Sequence, residues 1–329
     1  MKATWYTATG PARTVISVGT LDTPAPQAGE VLVRVYASGV NPADVKERAG
    51  TRGRSTMPFP MVIPHSDGAG IIEAVGTDVD PARVGERVWL WNARWRRPSG
   101  TGAQFVALPS AQAVALPDGV PFDVGASLGI PALTACHCVL GDGPVAGQSV
   151  LISGGAGTVG RLAVQFARSA GARVIATAHG DAPMESARSA GADAVLDYRD
   201  GDLPARILEA NGGRPIDRVV EVEFGANIDT IASIIREGGR VTAYGSARNP
   251  RPELPFYPLM FKAVNLEFVL VYFLDGERRQ RAIDRVNAEL AAGRLDVPVQ
   301  ARFPLEDCAA AHEAVEAGGR AGAVVVEIA

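Results

Sequence analysis

Cysteine is scarce: Cys136, Cys138 and Cys308 are the whole complement of a 329-residue chain. So odd and sparse a set builds no disulfide framework and fits a reducing compartment. Neither sign of charge dominates: the formal net charge is −4 and the two signs are interspersed. No tail that grips nucleic acid or a membrane surface is therefore expected. No apolar run reaches the roughly 18 residues of a membrane-spanning helix. The opening segment MKATWYTATG lacks the apolar stretch of a secretory leader, and a cytoplasmic location is the expectation. What is present is an ordinary globular mixture, apolar at 47% and charged at 21%, long enough for about two domains.

The first third is rich in β-formers, glycine and proline. Val31–Ala37, Gly70–Val75 and Gly85–Trp91 read as short strands between turns, which suggests a β-barrel-like domain. From Asp123 to Leu266 the rhythm changes. Apolar strands at Ser149–Ser153, Arg173–Ala178, Ala194–Asp197, Arg218–Val222 and Arg240–Tyr244 alternate with segments of helical spacing, as in a parallel α/β sheet. Glu277–Gly293 and Glu306–Ala317 read as helices and Ala323–Ile328 as a last strand, and this tail is expected to return to the first domain. The expected division is residues 1–122 with 267–329, and residues 123–266.

Gly155-Ala156-Gly157-Thr158-Val159-Gly160 fits G-x-G-x-x-G. The apolar strand Val150-Leu151-Ile152 precedes it, a helix follows, and Arg173–Ala178 completes a βαβ unit. Val159, Leu162, Ala163, Phe166, Ala167 and Ala170 form the helix's apolar stripe, with Arg161, Gln165 and Arg168 on the opposite face. Glycines let a pyrophosphate approach the backbone, and first-turn amides with the helix dipole favour its charge. A glycine that serves only the strand–helix turn is the competing reading. The second strand ends Ala176-Thr177-Ala178-His179, without the carboxylate that NAD sites usually place there. That tip leaves room for a 2′-phosphate, with His179, Arg188, Tyr198 and Arg320 as possible donors or else as solvated surface residues. NADPH is the expected cofactor, ahead of NADH.

Further segments extend the pattern: Gly39-Val40-Asn41-Pro42-Ala43-Asp44, Pro64-His65-Ser66-Asp67-Gly68-Ala69-Gly70 with Val75-Gly76, Gly85-Glu86-Arg87-Val88, Gly129-Ile130-Pro131-Ala132-Leu133-Thr134-Ala135, Gly238-Gly239-Arg240-Val241 and Tyr244-Gly245-Ser246. In order and spacing these resemble the zinc-independent medium-chain dehydrogenases/reductases of the quinone oxidoreductase, or zeta-crystallin, type, over nearly the full length. The resemblance implies a Rossmann doubly wound parallel sheet plus a GroES-like, β-barrel-like catalytic domain formed from both chain ends. It implies NADPH as hydride donor, and a quinone or activated alkene as acceptor. It sets the pyrophosphate on Ala156, Gly157, Thr158 and Val159 and the adenosine ribose phosphate near His179 and Tyr198. Asn227 and the turn Tyr244, Gly245, Ser246, Ala247 would touch the cofactor further along. Val269, Leu270 and Val271 would line the nicotinamide pocket, with Asn41 and Thr134 nearby. A homodimer or higher homo-oligomer, formed by pairing the edge strands of two Rossmann sheets, is also implied.

The chain departs from its relatives at Gly50-Thr51-Arg52, where a tyrosine often follows the glycine, and lacks a lysine in Ala182-Pro183-Met184-Glu185. The first ligand position of zinc-dependent relatives reads Asn41, and Ser66-Asp67 replaces their His-Glu pair. There is no four-cysteine cluster, the three cysteines lie far along the chain from those positions, and His65 is out of register. No catalytic or structural zinc is expected. Without a metal to polarise a carbonyl, a quinone or enone is a better hydride acceptor than an alcohol is a donor. Asn41, Asp44 and Arg52 are the candidate catalytic residues: Asn41 to bond the nicotinamide ribose or an acceptor oxygen, and Asp44 to orient it. Turn chemistry at Asn41-Pro42 is the plain alternative.

Trp91, Arg94 and Trp95, with Arg52, are candidates for the substrate pocket, since arginine and tryptophan bind planar anions. The Trp91–Arg97 segment also reads as a single-stranded RNA contact or as a solvated loop anchored by its tryptophans. Cys136-His137-Cys138 falls in a helix and His312 in another, and both read as structural. A non-catalytic NADPH-binding protein of crystallin or RNA-binding type is the alternative to an enzyme.

Overall fold

The computed structural model describes residues 1–51 and 57–328. The chain divides into two units, Met1–Ile130 with Val297–Ala329, and Pro131–Asp296. Along the N-terminal segment run β1 (Lys2–Trp5), α1 (Ala12–Val15), β2 (Ser17–Thr20), β3 (Glu30–Val40), α2 (Pro42–Arg48), β4 (Asp67–Val75), β5 (Arg87–Leu90), β6 (Phe105–Pro109), β7 (Ala113–Ala115) and α3 (Phe122–Gly125). The next stretch carries α4 (Gly129–Leu140), β8 (Ser149–Ile152), α5 (Thr158–Ser169), β9 (Arg173–Ala178), α6 (Asp181–Ser189), β10 (Ala194–Asp197), α7 (Leu203–Ala210), β11 (Ile216–Glu221), α8 (Phe224–Ile234), β12 (Ile235–Ala243), α9 (Phe256–Phe261), β13 (Asn265–Phe268) and α10 (Gly276–Ala291). The chain closes on β14 (Val299–Pro304), α11 (Cys308–Glu316) and β15 (Ala323–Glu327).

In the first unit, β14-β15-β3-β4-β5-β7 form one sheet, with β6 also pairing β3. The register of β3 against β4 shifts twice, between Leu32 and Val33 and between Val35 and Ala37. Such bulges bend a strand and raise its twist, which curls this sheet around its own core. Val33, Val35, Ile72, Leu108 and Val326 fill that core, and α11 closes it with Ala311 and Val315. The last strand therefore does return to the first unit, as its apolar run AVVV requires.

In the second unit the sheet order is β10-β9-β8-β11-β12-β13, parallel throughout. This is the doubly wound order in which the first strand sits centrally and the direction of winding reverses beside it. β8 is buried along its whole length, as a strand covered by helices on both faces must be. The glycine loop that follows β8 thus stands at the switch point, where such sheets open toward a ligand.

Two expectations need correction. The boundaries fall at 130/131 and 296/297, not at 122/123 and 266/267. The reason is β13: it pairs in parallel with β12 through Arg240–Asn265 to Ala243–Phe268, so it and α10 after it belong to the second unit. The helix expected over Glu277–Gly293 consequently does not return with the tail. Arg161 and Gln165, on the face of α5 opposite its apolar stripe, are buried as well. Arg161 bonds Ser186 and Asp296, and Gln165 bonds the Asp296 carbonyl, because α6 and the segment after α10 cover that face. Among the described residues no helix is long and apolar enough to cross a membrane.

Candidate functional site

The second unit carries the glycine loop. Gly154 turns at φ +67, its amide reaches Thr177 Oγ1 at 3.3 Å, and the Gly155 amide reaches the Thr177 carbonyl at 2.9 Å. The loop is thereby stitched to the end of β9. Gly157 is the N-cap of α5, and the first intrahelical bond runs from the Arg161 amide to the Gly157 carbonyl at 2.7 Å. The first-turn amides before Arg161 have no carbonyl within the helix to meet, which makes this end a seat for an anion. The three glycines differ in role. A Cβ on Gly160 would lie 2.1 Å from the Gly154 carbonyl oxygen, and one on Gly155 would lie 2.7 Å from Ala176 Cβ. On Gly157 it would meet only the Gly154 oxygen, at 3.5 Å. Two glycines are therefore required by packing, and the middle one is not. Ala156 is buried between them.

At the far end of β9, His179 Nδ1 lies 2.8 Å from Asp197 Oδ2, and its ring stands against that of Tyr198 at 5.7 Å. The sequence places no carboxylate at the tip of β9, yet the parallel partner β10 delivers one from its own last residue. Asp197 engages His179 Nδ1, not Nε2. Tyr198 is exposed at the same corner. Arg320 belongs to the other unit, in the turn before β15, and Arg188 pairs with Glu185.

Sequence reasoning missed Glu221. It ends β11, is fully buried, and accepts bonds from Ser153 Oγ, the Glu223 amide and Asn227 Nδ2. Burial raises its carboxyl above the ordinary value against the hydrogen bond from Ser153. Glu221 thus links the start of the glycine loop to Asn227 on α8. Its signal was a carboxylate directly after the apolar pair Val219-Val220 at the end of its strand. Tyr244 follows β12 with its amide on the Glu221 carbonyl at 3.0 Å, and Ser246 Oγ is consumed by Asn249 O and the Gly225 amide. Ser246 therefore shapes its turn, and Gly245 and exposed Ala247 flank it. After β13, Val269 and Val271 are buried and Leu270 is exposed. Thr134 is buried on α4.

In the first unit Asn41 precedes α2, and its amide donates to Asp44 Oδ2 at 2.8 Å, half of a capping box. Its side-chain Nδ2 donates to Asp67 Oδ2 at 2.8 Å, and the Ile130 amide donates to the same oxygen at 2.8 Å. Asn41 is thus held from two sides, which turn chemistry alone does not require. Asp67 was legible only as the residue standing beside Ser66 in place of a His-Glu pair. Burial holds its carboxyl well above the usual range, and Asp44 adds to this, against the bonds from Ile130 and Asn41.

A carboxyl raised by folding stabilises the fold fully below its unfolded value and surrenders that stabilisation as pH rises through the folded value. Denaturation midpoints of the wild-type chain are therefore expected to fall, as pH rises above about 4, more steeply than those of Asp67→Asn. Parallel curves would show that Asp67 is ionised throughout.

The substrate-pocket candidates fare unevenly. Arg52 lies outside the described residues. Arg94 is not an available cation: buried, it holds Glu47 Oε1 at 2.6 Å and the Arg97 carbonyl at 2.7 Å. The Trp91–Arg97 segment is half-buried, with Asn92 and Ala93 in the interior and Arg96 exposed over the Trp95 ring. It is a folded turn rather than a solvated loop.

Residues 27–118 match the family model of the alcohol dehydrogenase GroES-like domain, and residues 158–288 that of the zinc-binding dehydrogenases. A quinone oxidoreductase of Rattus norvegicus is 31% identical over 310 residues, 92% of this chain and 90% of that protein. A mycobacterial protein solved in complex with NADPH superposes with a TM-score of 0.87 at 29% identity, over 99% of this chain and 100% of that one. A structure described as an NAD-dependent alcohol dehydrogenase superposes with a TM-score of 0.89 at 26% identity, over 100% of both chains. Fold, glycine loop and relatives agree: the chain belongs to the quinone oxidoreductase family of medium-chain dehydrogenases/reductases.

Proposed function

We propose that this protein is an NADPH-dependent oxidoreductase that delivers hydride to a quinone or an activated alkene. The observation that carries the reading is the open space over Gly157 at the start of α5, set at the switch point of the parallel sheet. The residues fit the dinucleotide. Gly157 admits its pyrophosphate, the α5 amides and dipole answer the charge, and Thr177 and Glu221 hold the loop from beneath. Tyr198 is a donor for a 2′-phosphate, and His179, whose Nδ1 donates to Asp197 and is oriented by it, donates through Nε2 as the imidazolium. Val269, Leu270 and Val271 supply apolar cover for the nicotinamide. NADPH, when bound, supplies the hydride. The neighbour solved with NADPH supports the choice over NADH.

For the acceptor, the second hydrogen of the Asn41 side-chain Nδ2 is the donor we assign to its oxygen, with Asp67, which takes the first, and Asp44, which takes the backbone amide, as positioning residues. Asn41 and Ser66 stand where zinc-dependent relatives keep ligands, and neither offers an imidazole or thiolate. The reaction is therefore assigned to acceptors whose own conjugation stabilises the charge that hydride addition creates. The proposed setting is the cytoplasm, which three free, buried cysteines suit. A second copy of the chain is proposed to pair along β13. This strand ends its sheet among exposed Phe256, Tyr257, Phe261 and Phe268, and an open edge with apolar neighbours is a template for pairing.

The test follows NADPH absorbance with 1,4-benzoquinone, 9,10-phenanthrenequinone, an enone and an acrylate. Turnover with at least one class is expected, with NADPH preferred over NADH by roughly tenfold or more, the value of one charge-assisted phosphate contact. Tight NADPH binding without turnover on any acceptor would instead establish the non-catalytic alternative.

A further inference from the structure

We propose that the first unit holds a buried site for a thiophilic closed-shell cation, Zn²⁺ or Cu⁺, built from His65, Cys308 and His312. Cys308 opens α11 and His312 follows four positions later, so the two project from one face of that helix. His65 comes from the turn before β4, 243 positions from Cys308 along the chain. Sequence distance had set the cysteines apart from the His65-Ser66-Asp67 segment; the fold brings one of them to it.

All three residues are fully buried. His65 Nε2 lies 3.0 Å from His312 Nε2 and 3.9 Å from Cys308 Sγ, and the three donor atoms all lie within 4.8 Å of one another. An ion about 2.0 Å from nitrogen and about 2.3 Å from sulfur spaces its ligands roughly 3.3–3.6 Å for N to N and roughly 3.5–3.8 Å for N to S. The two His65 distances lie within about half an ångström of those values, and the Cys308–His312 pair, bounded at 4.8 Å, has to close by up to about 1 Å.

Hydrogen-bond bookkeeping fixes which nitrogen of His65 is available. Thr101 Oγ1 donates to the Asp67 carbonyl at 2.6 Å, so in its 2.7 Å contact with Ser38 the donor is Ser38. Ser38 has then spent its proton, and at 2.8 Å it accepts from His65 Nδ1. The Nε2 lone pair of His65 therefore points at His312 and Cys308. An imidazole anchored through one nitrogen with the other lone pair presented is the usual form of a metal ligand. His65 also holds φ at 76, a left-handed conformation that a residue with a β-carbon keeps only where its surroundings demand it.

On binding, Cys308 loses its thiol proton to solvent, and the His312 proton moves from Nε2 to Nδ1, which has no other partner among the described residues. The surrounding charge is mixed: Arg48 opposes a cation at His312 but favours the Cys308 thiolate. Arg48, which acts on both Cys308 and His312, is paired with Glu316, and Asp44 adds a negative field at Cys308. Thiolate and imidazole together select zinc or cuprous ions. Such an ion would pin α11, from the chain's last segment, to the turn before β4, and so lock together the two segments of a discontinuous unit.

The full chain, stripped of metal in denaturant, is refolded with Zn²⁺ or, without oxygen, with Cu⁺, and with neither NADPH nor acceptor present. At least one arm is expected to retain one ion per chain after desalting and to raise the thermal midpoint. Cys308→Ala and His312→Gln are expected to weaken retention by about tenfold or more, while the double change Cys136→Ser and Cys138→Ser leaves it intact. Co²⁺ should give a thiolate charge-transfer band on the wild-type chain, which decides the matter even where a variant fails to refold. No retained ion in either arm, no cobalt band, or undiminished retention by Cys308→Ala overturns the site and leaves the proposed function untouched.

Discussion

Gly157→Leu is expected to fold as the wild-type chain does and to bind NADPH at least about 100-fold more weakly, a loss of roughly 2.7 kcal/mol. The two halves of this expectation have separate causes. Gly157 has an ordinary φ of −70, and a Cβ there would meet only the Gly154 oxygen, at 3.5 Å. Neither the backbone conformation nor the space at Cβ resists the change. The space it would fill is the approach to the first-turn amides of α5, where the pyrophosphate is proposed to rest. Fluorescence titration with NADPH and a thermal melt on the same sample measure both halves. Unchanged affinity with an unchanged melt would show that the dinucleotide is held elsewhere.

Gly160→Ala is expected to fail for the opposite reason. Its Cβ would lie 2.1 Å from the Gly154 oxygen, 2.8 Å from the Gly154 carbonyl carbon and 3.0 Å from Gly155 Cα. All three are backbone atoms of a loop already tied to Thr177, so no side chain can rotate out of the way. Overpacking of this kind costs about 3 kcal/mol. Denaturant unfolding should show that loss even without ligand, and a loss under about 1 kcal/mol would mean that loop and helix are less closely packed than described. Together the two variants separate a glycine kept for a ligand from a glycine kept for the fold.

The sequence revealed most where a local rule sufficed. The βαβ unit around Gly155–Gly160 was legible because strand period, glycine spacing and helix stripe coincide within thirty-odd residues. What stayed hidden depends on residues that meet only after folding. Asp197 answers His179 because β10 pairs with β9 in register at Asp197–Ala178, which no spacing along the chain announces. Glu221 and Asp67 are carboxylates on buried strands, and their partners, Asn227 and Asn41, come from the start of helices. The reading of Arg94 as an available cation failed because Glu47, on a different element, already neutralises it. The unit boundary moved because β13 is short and mostly exposed, with too little apolar pattern to separate an edge strand from a loop.

One measurement bears most directly on the central claim, that a dinucleotide seated over Gly157 donates hydride to a conjugated acceptor. It is the steady-state oxidation of NADPH by 1,4-benzoquinone, run side by side with wild-type and Gly157→Leu protein at equal concentration. The account predicts sustained turnover by the wild-type chain and, from the variant, a rate no greater than the reaction without protein. Equal rates from two equally folded proteins would contradict it.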